Sequence, residues 1–295
     1  MTPAMRRSIN SLPVVLKPLP DELLSSWLAR HAAFYEVGSR RLLSHLGLEA
    51  PCLEALDDGP SLAQQIGLAD CFRCVPARIA AMSHAGACND VRRLIRRAPP
   101  AQRCQTCTGP DLTSNTVPVL KSWVQGWRIT CRACGTRLTD ITSERHPGEI
   151  HQYNDLFSTL WEKACEGEAA FEEHEDDAGD TPSPAALMRL LLLPRWPDPG
   201  ELAEGYRPSR LLNAVVPGFD EAVHRYGLER HMVRQPFLPM MLRIALLAGL
   251  ASVMRDPVRM VKDLRQQTRL GGRQRFEALE SGKGRGLPFL SHVGS

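Results

Sequence analysis

The sequence predicts a mainly α-helical fold with one small, cysteine-bearing insert, on three observations. Apolar residues recur at helical spacing through most of the chain, as in Leu23, Leu24, Trp27, Leu28, His31 and Tyr35. Glycine and proline divide that pattern into short pieces, as helix starts and stops do. Two Cys-x-x-Cys pairs, Cys104/Cys107 and Cys131/Cys134, flank a stretch rich in β-branched and aromatic residues, where strands are expected.

Taken in order, residues 1–18 read as an extended arm, because Pro3, Pro13 and Pro18 discourage a helix. "LPDELLSSWLARHAAFYEVG" supplies the first helix. Pro20 and Asp21 suit its first turn, Asp21 and Glu22 complement the positive end of its dipole, and Gly38 ends it. A second helix spans Ser39 to Leu46 and stops at Gly47; a third runs from Ser61 to Ile66. Short helices joined by glycine-bearing turns are compatible with a helix-turn-helix unit. Two more are expected over Pro76–Ser83 and Asn89–Arg97 before "APPAQ" breaks the run.

Beyond the thiol region, Tyr153, Leu156, Phe157, Leu160, Trp161 and Ala164 share one helical face, and "EDDAGDTPSP" reads as a linker. Helices then follow in "PAALMRLLLLPRW", "LLNAVV", "GFDEAVHRYGL", "PFLPMMLRIALLAGLASVM" and "PVRMVKDLRQQTRL". The apolar run from Met240 to Val253 is interrupted by Arg243 and reads as a buried helix rather than a membrane span. No signal peptide is recognisable at the start, so a cytoplasmic location is expected.

A reducing compartment makes a disulfide framework of the nine cysteines improbable and metal binding by paired ones the better reading. Two residues between paired thiols let both sulfurs reach one ion, and Gly109 and Gly135 suit the turns that close such knuckles. The set Cys104, Cys107, Cys131 and Cys134 is therefore expected to hold Zn2+ as a structural ribbon over residues 103–138. Four thiolates fill the tetrahedron and leave no open position for water. A looser set, Cys71, Cys74, His84 and Cys88, is a possible second metal site, although ordinary packing of small thiols explains it better. Cys52 and Cys165 read as buried thiols, Trp27 as core, and Trp123 and Trp127 as cover for the ribbon. The fold class is thus mainly α, with N-terminal helix-turn-helix-like helices, a small zinc-ribbon insert and a helical C-terminal domain.

The formal net charge of +3 makes no global case for nucleic acid, but its distribution is uneven. His151–Asp180 holds ten acids against one lysine, whereas Arg255–Ser295 holds nine basic residues against four acids. Arg92, Arg93, Arg96, Arg97 and Arg103, with Arg128 and Arg132, form one candidate nucleic-acid surface; Arg137 extends it. Arg259, Lys262, Arg265, Arg269, Arg273 and Arg275 form a second, the first four near one helical side. No Walker A, H-E-x-x-H or G-x-S-x-G motif occurs. No catalytic residue is assigned, and the chain is not read as an enzyme.

Two segments carry a resemblance. "PLPDELLSSWLARHAAFYEV", over Pro18–Val37, resembles the opening motif of TniQ/TnsD proteins, with a proline and an acid before a "SWL-R" helix. "RCQTC", followed by an aromatic-rich stretch ending "WRITCRACGTRLTD", is similar to that family's second signature. The match covers roughly Pro18 to Asp140. Gln105 and Arg132 stand where many members carry proline, and Cys134 where they carry histidine, which preserves the ligand chemistry. The resemblance implies an accessory protein of Tn7-like or mercury-resistance-type transposons. Such a protein selects the insertion target by recognising DNA or a CRISPR effector ribonucleoprotein, and recruits an AAA+ transposition regulator. Some relatives dimerise. A zinc-ribbon DNA-binding transcriptional regulator is the alternative. The organisation expected is an arm (1–18), a TniQ-like helical region with the ribbon (19–145), an acidic helix and linker (146–182), and a helical C-terminal domain with a basic tail (183–295).

Overall fold

Helices dominate, as the periodicity predicts. The computed structural model describes residues 11–96, 102–108, 117–141, 157–174, 182–195, 209–225 and 238–266, except the side chains of Asp90, His174 and Arg265. They fall into two compact units. One comprises the described parts of Met1–Cys88, Arg96–Gln125 and Thr130–Ile141; the other comprises those of Asn89–Ile95, Gly126–Ile129 and Thr142–Ser295.

In the first unit, α1 (Leu24–Phe34), α2 (Ser39–His45), α3 (Leu62–Phe72) and α4 (Pro76–Ala81) surround a core of Leu24, Trp27, Leu28, Leu42, Leu43, Leu68, Phe72 and Ile79. Trp27, 1% exposed, lies with its ring centroid 4.4 Å from that of Phe72. α1 begins later than the sequence suggests. Asp21 takes a left-handed φ of 60° outside the helix, and Gly38 is the N-cap of α2 rather than the terminator of α1. α3 outruns the expected Ile66 because Leu68, Ala69, Cys71 and Phe72 continue its buried face past Gly67. Its start is secured by a capping box: the Ser61 hydroxyl accepts the Gln64 N–H, and the Gln64 side chain accepts the Ser61 N–H at 2.8 Å.

The arm over residues 11–18 has no regular structure of its own and is held by side chains from α1 and from Tyr35, its C-cap. Tyr35 OH bonds both the N–H and the C=O of Val14 at 2.7 Å. Trp27 Nε1 donates to Leu16 O at 2.8 Å, and Arg30 donates to Lys17 O at 2.9 Å. The Leu16 N–H donates to His31 Nε2 at 3.0 Å, so His31 carries its proton on Nδ1 and donates it to Trp27 O at 2.8 Å. Burial pushes the His31 pKa down and favours this neutral form.

The second unit centres on α12 (Met240–Met254), where 13 of 15 residues are buried. A helix apolar all round belongs inside a protein, and this one is enclosed by neighbours. Around it lie α8 (Trp161–His174), α9 (Pro184–Leu191), α10 (Leu211–Val215), α11 (Phe219–Arg225) and α13 (Pro257–Gln266). The acidic segment thus contributes a packed helix: Gly167 of α8 brings its backbone against Leu247 of α12. Two shorter helices, α5 (Asn89–Arg92) in this unit and α7 (Lys121–Val124) in the first, lie before α8 in the chain. No described helix is long and apolar enough to cross a membrane.

Candidate metal centre

Four sulfurs converge in the first unit. The Sγ atoms of Cys104, Cys107, Cys131 and Cys134 all lie within 4.8 Å of one another. Cys104 and Cys134 are 3.3 Å apart, Cys107 and Cys134 3.5 Å, and Cys107 and Cys131 3.7 Å. No disulfide forms among the nine cysteines, and these separations far exceed the roughly 2.0 Å of an S–S bond. They approach instead the edge of about 3.8 Å that a tetrahedron with metal–sulfur bonds of about 2.3 Å requires. Cys104 and Cys131 are buried; Cys107 and Cys134 face solvent. The donor set fits a tetrahedral thiophilic ion.

Local structure explains the convergence. Cys104 precedes the helical turn α6 (Gln105–Thr108), whose Thr108 N–H donates to Cys104 O at 3.0 Å. On the other side the Gly135 N–H donates to Cys131 O at 2.7 Å, and the Cys131 N–H donates to Thr136 O at 2.8 Å. Gly135 takes φ +74°, the left-handed turn expected of it, whereas Gly109 lies outside the described residues. The knuckles are joined by β1 (Gln102–Arg103) and β2 (Thr139–Asp140), which pair antiparallel with Gln102 opposite Asp140. A further bridge links Thr130 to Arg137.

The strands are not where they were expected. In "VLKSWVQGWRIT", residues Lys121–Val124 form the helical turn α7 rather than a strand, because Asp21 caps it and Trp123 is buried beneath it. Buried Gln102 holds the far end, donating from Nε2 to Ser122 O at 3.0 Å and Gln125 O at 3.1 Å.

The four thiols are not equivalent. Hydrogen bonds from the Thr136 hydroxyl and main-chain N–H pull Cys134 down to about 6. Burial, followed by hydrogen bonds with neighbouring sulfurs, pushes Cys107 far up; burial also raises Cys131, opposed by bonds from the Ala133 and Cys134 amides. Thr136 is a residue the sequence reading missed: its Oγ1 lies 3.0 Å from the Sγ of both Cys104 and Cys134. Only its place two residues past a ligand hinted at this.

The second thiol set does not assemble. Among the described residues, no other group of three or more His, Cys, Asp and Glu side chains converges as these four do. Cys71 packs in the apolar core, Cys88 is exposed, and His84 is buried on a turn whose N–H donates to Asp57 O at 2.8 Å. Cys52 is exposed and Cys165 half-buried, not buried as expected.

The basic residues differ in burial. Arg128 is buried, not a surface contact. Its guanidinium donates to Glu168 at 3.2 Å and to Glu172, and Arg243 of α12 donates to the Arg128 carbonyl at 3.0 Å. An apolar neighbourhood tolerates this charge only because carboxylates compensate it. The adjacent Trp127, expected as cover for the ribbon, belongs to the second unit and stacks on Phe171 with ring centroids 5.2 Å apart. Arg92 and Arg93 are exposed in the second unit; exposed Arg132 and half-buried Arg96 and Arg103 are in the first. On α13, Arg259 and Lys262 are exposed, with Arg259 3.8 Å from Asp263. Arg97, Arg269, Arg273 and Arg275 lie outside the described residues, as does the Arg265 side chain.

Comparison with protein-family models, with curated proteins and with solved structures finds no match in any of the three.

Proposed function

We propose that this chain is a non-catalytic target-site selection adapter in DNA transposition of Tn7-like type. In this reading its four thiolates hold a structural Zn2+, and its surfaces recognise DNA or a CRISPR effector ribonucleoprotein and recruit an AAA+ regulator. The observation that carries the reading is that the N-terminal segment resembling a TniQ/TnsD signature is hydrogen-bonded, within the first unit, to residues between the two thiol pairs of the other. The Leu23 N–H donates to Val119 O at 2.9 Å, the Val119 N–H to Ser26 Oγ at 2.8 Å, and the Ser122 N–H to Asp21 Oδ2 at 3.0 Å.

An adapter works by presenting fixed surfaces, and a metal clamp stiffens loops too small to build a core. Thiolate ligands and tetrahedral spacing favour zinc over harder ions. The helix pair α3 and α4, joined by the three residues Arg73, Cys74 and Val75, supports the helix-turn-helix part of the reading. Arg132 and Arg137, exposed on the second thiol turn, supply positive charge beside the centre. Thiols held for metal rather than disulfide fit a reducing cytoplasm.

The test is a pull-down of the full chain with the AAA+ regulator and the effector complex, beside a duplex-DNA titration at several salt concentrations. Capture of the regulator, with DNA or effector binding, is the expected result. A phosphate-mediated component must weaken as salt rises. No association with any of the three overturns the reading; DNA binding without regulator capture favours a transcriptional regulator instead.

A further inference from the structure

We propose that Thr136 is the positioning residue of the metal centre, its hydroxyl donating to the Cys104 and Cys134 thiolates and holding them at ligand spacing. This rests on the metal reading above and adds to it a residue outside the four ligands. Its Oγ1 lies 3.0 Å from each sulfur, and those sulfurs are 3.3 Å apart. One hydroxyl hydrogen facing two equidistant acceptors is shared between them, so it acts on an edge of the tetrahedron rather than on a single ligand.

The main chain of the same residue reaches further. Thr136 O accepts the Cys131 N–H at 2.8 Å, and the Thr136 N–H bonds the Cys134 sulfur. Two of the four thiols and the backbone of a third cysteine, Cys131, are therefore referenced to Thr136, set in place by the left-handed Gly135. Four thiolates around a divalent cation carry a net charge of −2 (−4 from sulfur, +2 from metal). A hydroxyl donor there makes a charge-assisted bond, stronger than one between neutral groups. It also draws electron density from Cys134, which faces solvent and is open to electrophiles. Removing the donor leaves the fold's main-chain bonds intact but loosens the sulfurs and makes them more nucleophilic.

The experiment compares the full-length wild type, Thr136→Val and Thr136→Ser. Zinc retention is read by competition with a chromophoric chelator, the site by the sulfur-to-metal charge-transfer bands of Co2+, and sulfur reactivity by the alkylation rate of the zinc-loaded protein. Thr136→Val keeps shape and main chain but lacks the hydroxyl; it is expected to hold zinc about 10- to 100-fold more weakly and to alkylate faster. Thr136→Ser restores the donor and is expected near wild type. Zinc retention and alkylation in Thr136→Val equal to wild type overturn the proposal. So does an equal loss in Thr136→Ser, which would assign the effect to the methyl group or the turn. A wild-type chain that takes up neither Zn2+ nor Co2+ overturns the metal reading itself, a failure visible before any variant is compared.

Discussion

Asp21 and Ser122 stand 101 residues apart, yet the Asp21 carboxylate accepts the Ser122 main-chain N–H at 3.0 Å and so caps α7 from outside it. The N-cap position itself, Leu120, offers no side-chain acceptor. Asp21 also holds φ 60°, a region that aspartate and asparagine tolerate better than alanine. Asp21→Ala is therefore expected to cost about 1–2 kcal/mol in urea denaturation. Asp21→Asn, which keeps an acceptor oxygen, is expected to lose less than half as much.

Arg128 and Arg132 are near neighbours in sequence with opposite environments. Arg128→Ala leaves the buried carboxylate of Glu168 uncompensated and is expected to cost about 3–5 kcal/mol. Arg132→Ala, at an exposed turn, is expected to stay within about 0.5 kcal/mol of wild type. Chemical denaturation of the two variants side by side checks both.

Two helical glycines separate in the same way. A Cβ at Gly167 would fall far inside van der Waals contact with the Leu247 carbonyl oxygen, and that oxygen is backbone and cannot give. A Cβ at Gly249 would meet the tip of the Leu212 side chain, which can turn aside. Both alanine variants gain about 1 kcal/mol of helix propensity. The expected order of melting temperature therefore places Gly167→Ala well below Gly249→Ala.

Asp57 caps α1 from a distance, accepting the Ser25 N–H at 2.9 Å and the Ser25 hydroxyl at 2.6 Å. Burial nevertheless pushes its carboxyl up to about 6, from an ordinary 3.8, so the folded chain binds its proton more tightly than the unfolded chain. The stability this contributes is fully present below pH 3.8 and is lost as pH rises to about 6. The amplitude is on the order of 3 kcal/mol. The difference in unfolding free energy between wild type and Asp57→Asn, measured from pH 4 to 7, should fall across that window and level off above it. A flat difference would show that Asp57 titrates normally.

Metal removal should be local. Under chelation, hydrogen exchange is expected to lose protection at the Thr108, Cys131 and Gly135 amides, which close the two thiol turns. The amides of α12, in the other unit, should stay protected. Equal loss in both would mean that the metal supports the whole chain rather than its first unit.

Much of the secondary structure was legible because its causes are local. Apolar spacing marked the long helices in the described part of the second unit, and the two Cys-x-x-Cys pairs named the four thiols that converge. Where local signals misled, a distant partner was responsible. Propensity made Lys121–Val124 a strand, but a carboxylate from the N-terminal motif made it a helical turn. Charge made Arg128 a surface residue, but Glu168 and Glu172 of α8 compensate it in a buried setting. Cys71, Cys74, His84 and Cys88 had ligand types without ligand geometry, since Cys71 is committed to the apolar core.

By itself, then, the amino-acid order determined the helical class, most element positions and the identity of one thiol quartet. These depend on periods and spacings of a few residues. Which charges are buried, what starts α1 and α7, and how Thr136 meets two sulfurs were decided only in three dimensions. A carboxylate, guanidinium or hydroxyl takes its role from whatever group the folded chain brings within about 3 Å, and that choice leaves no trace in neighbouring residues.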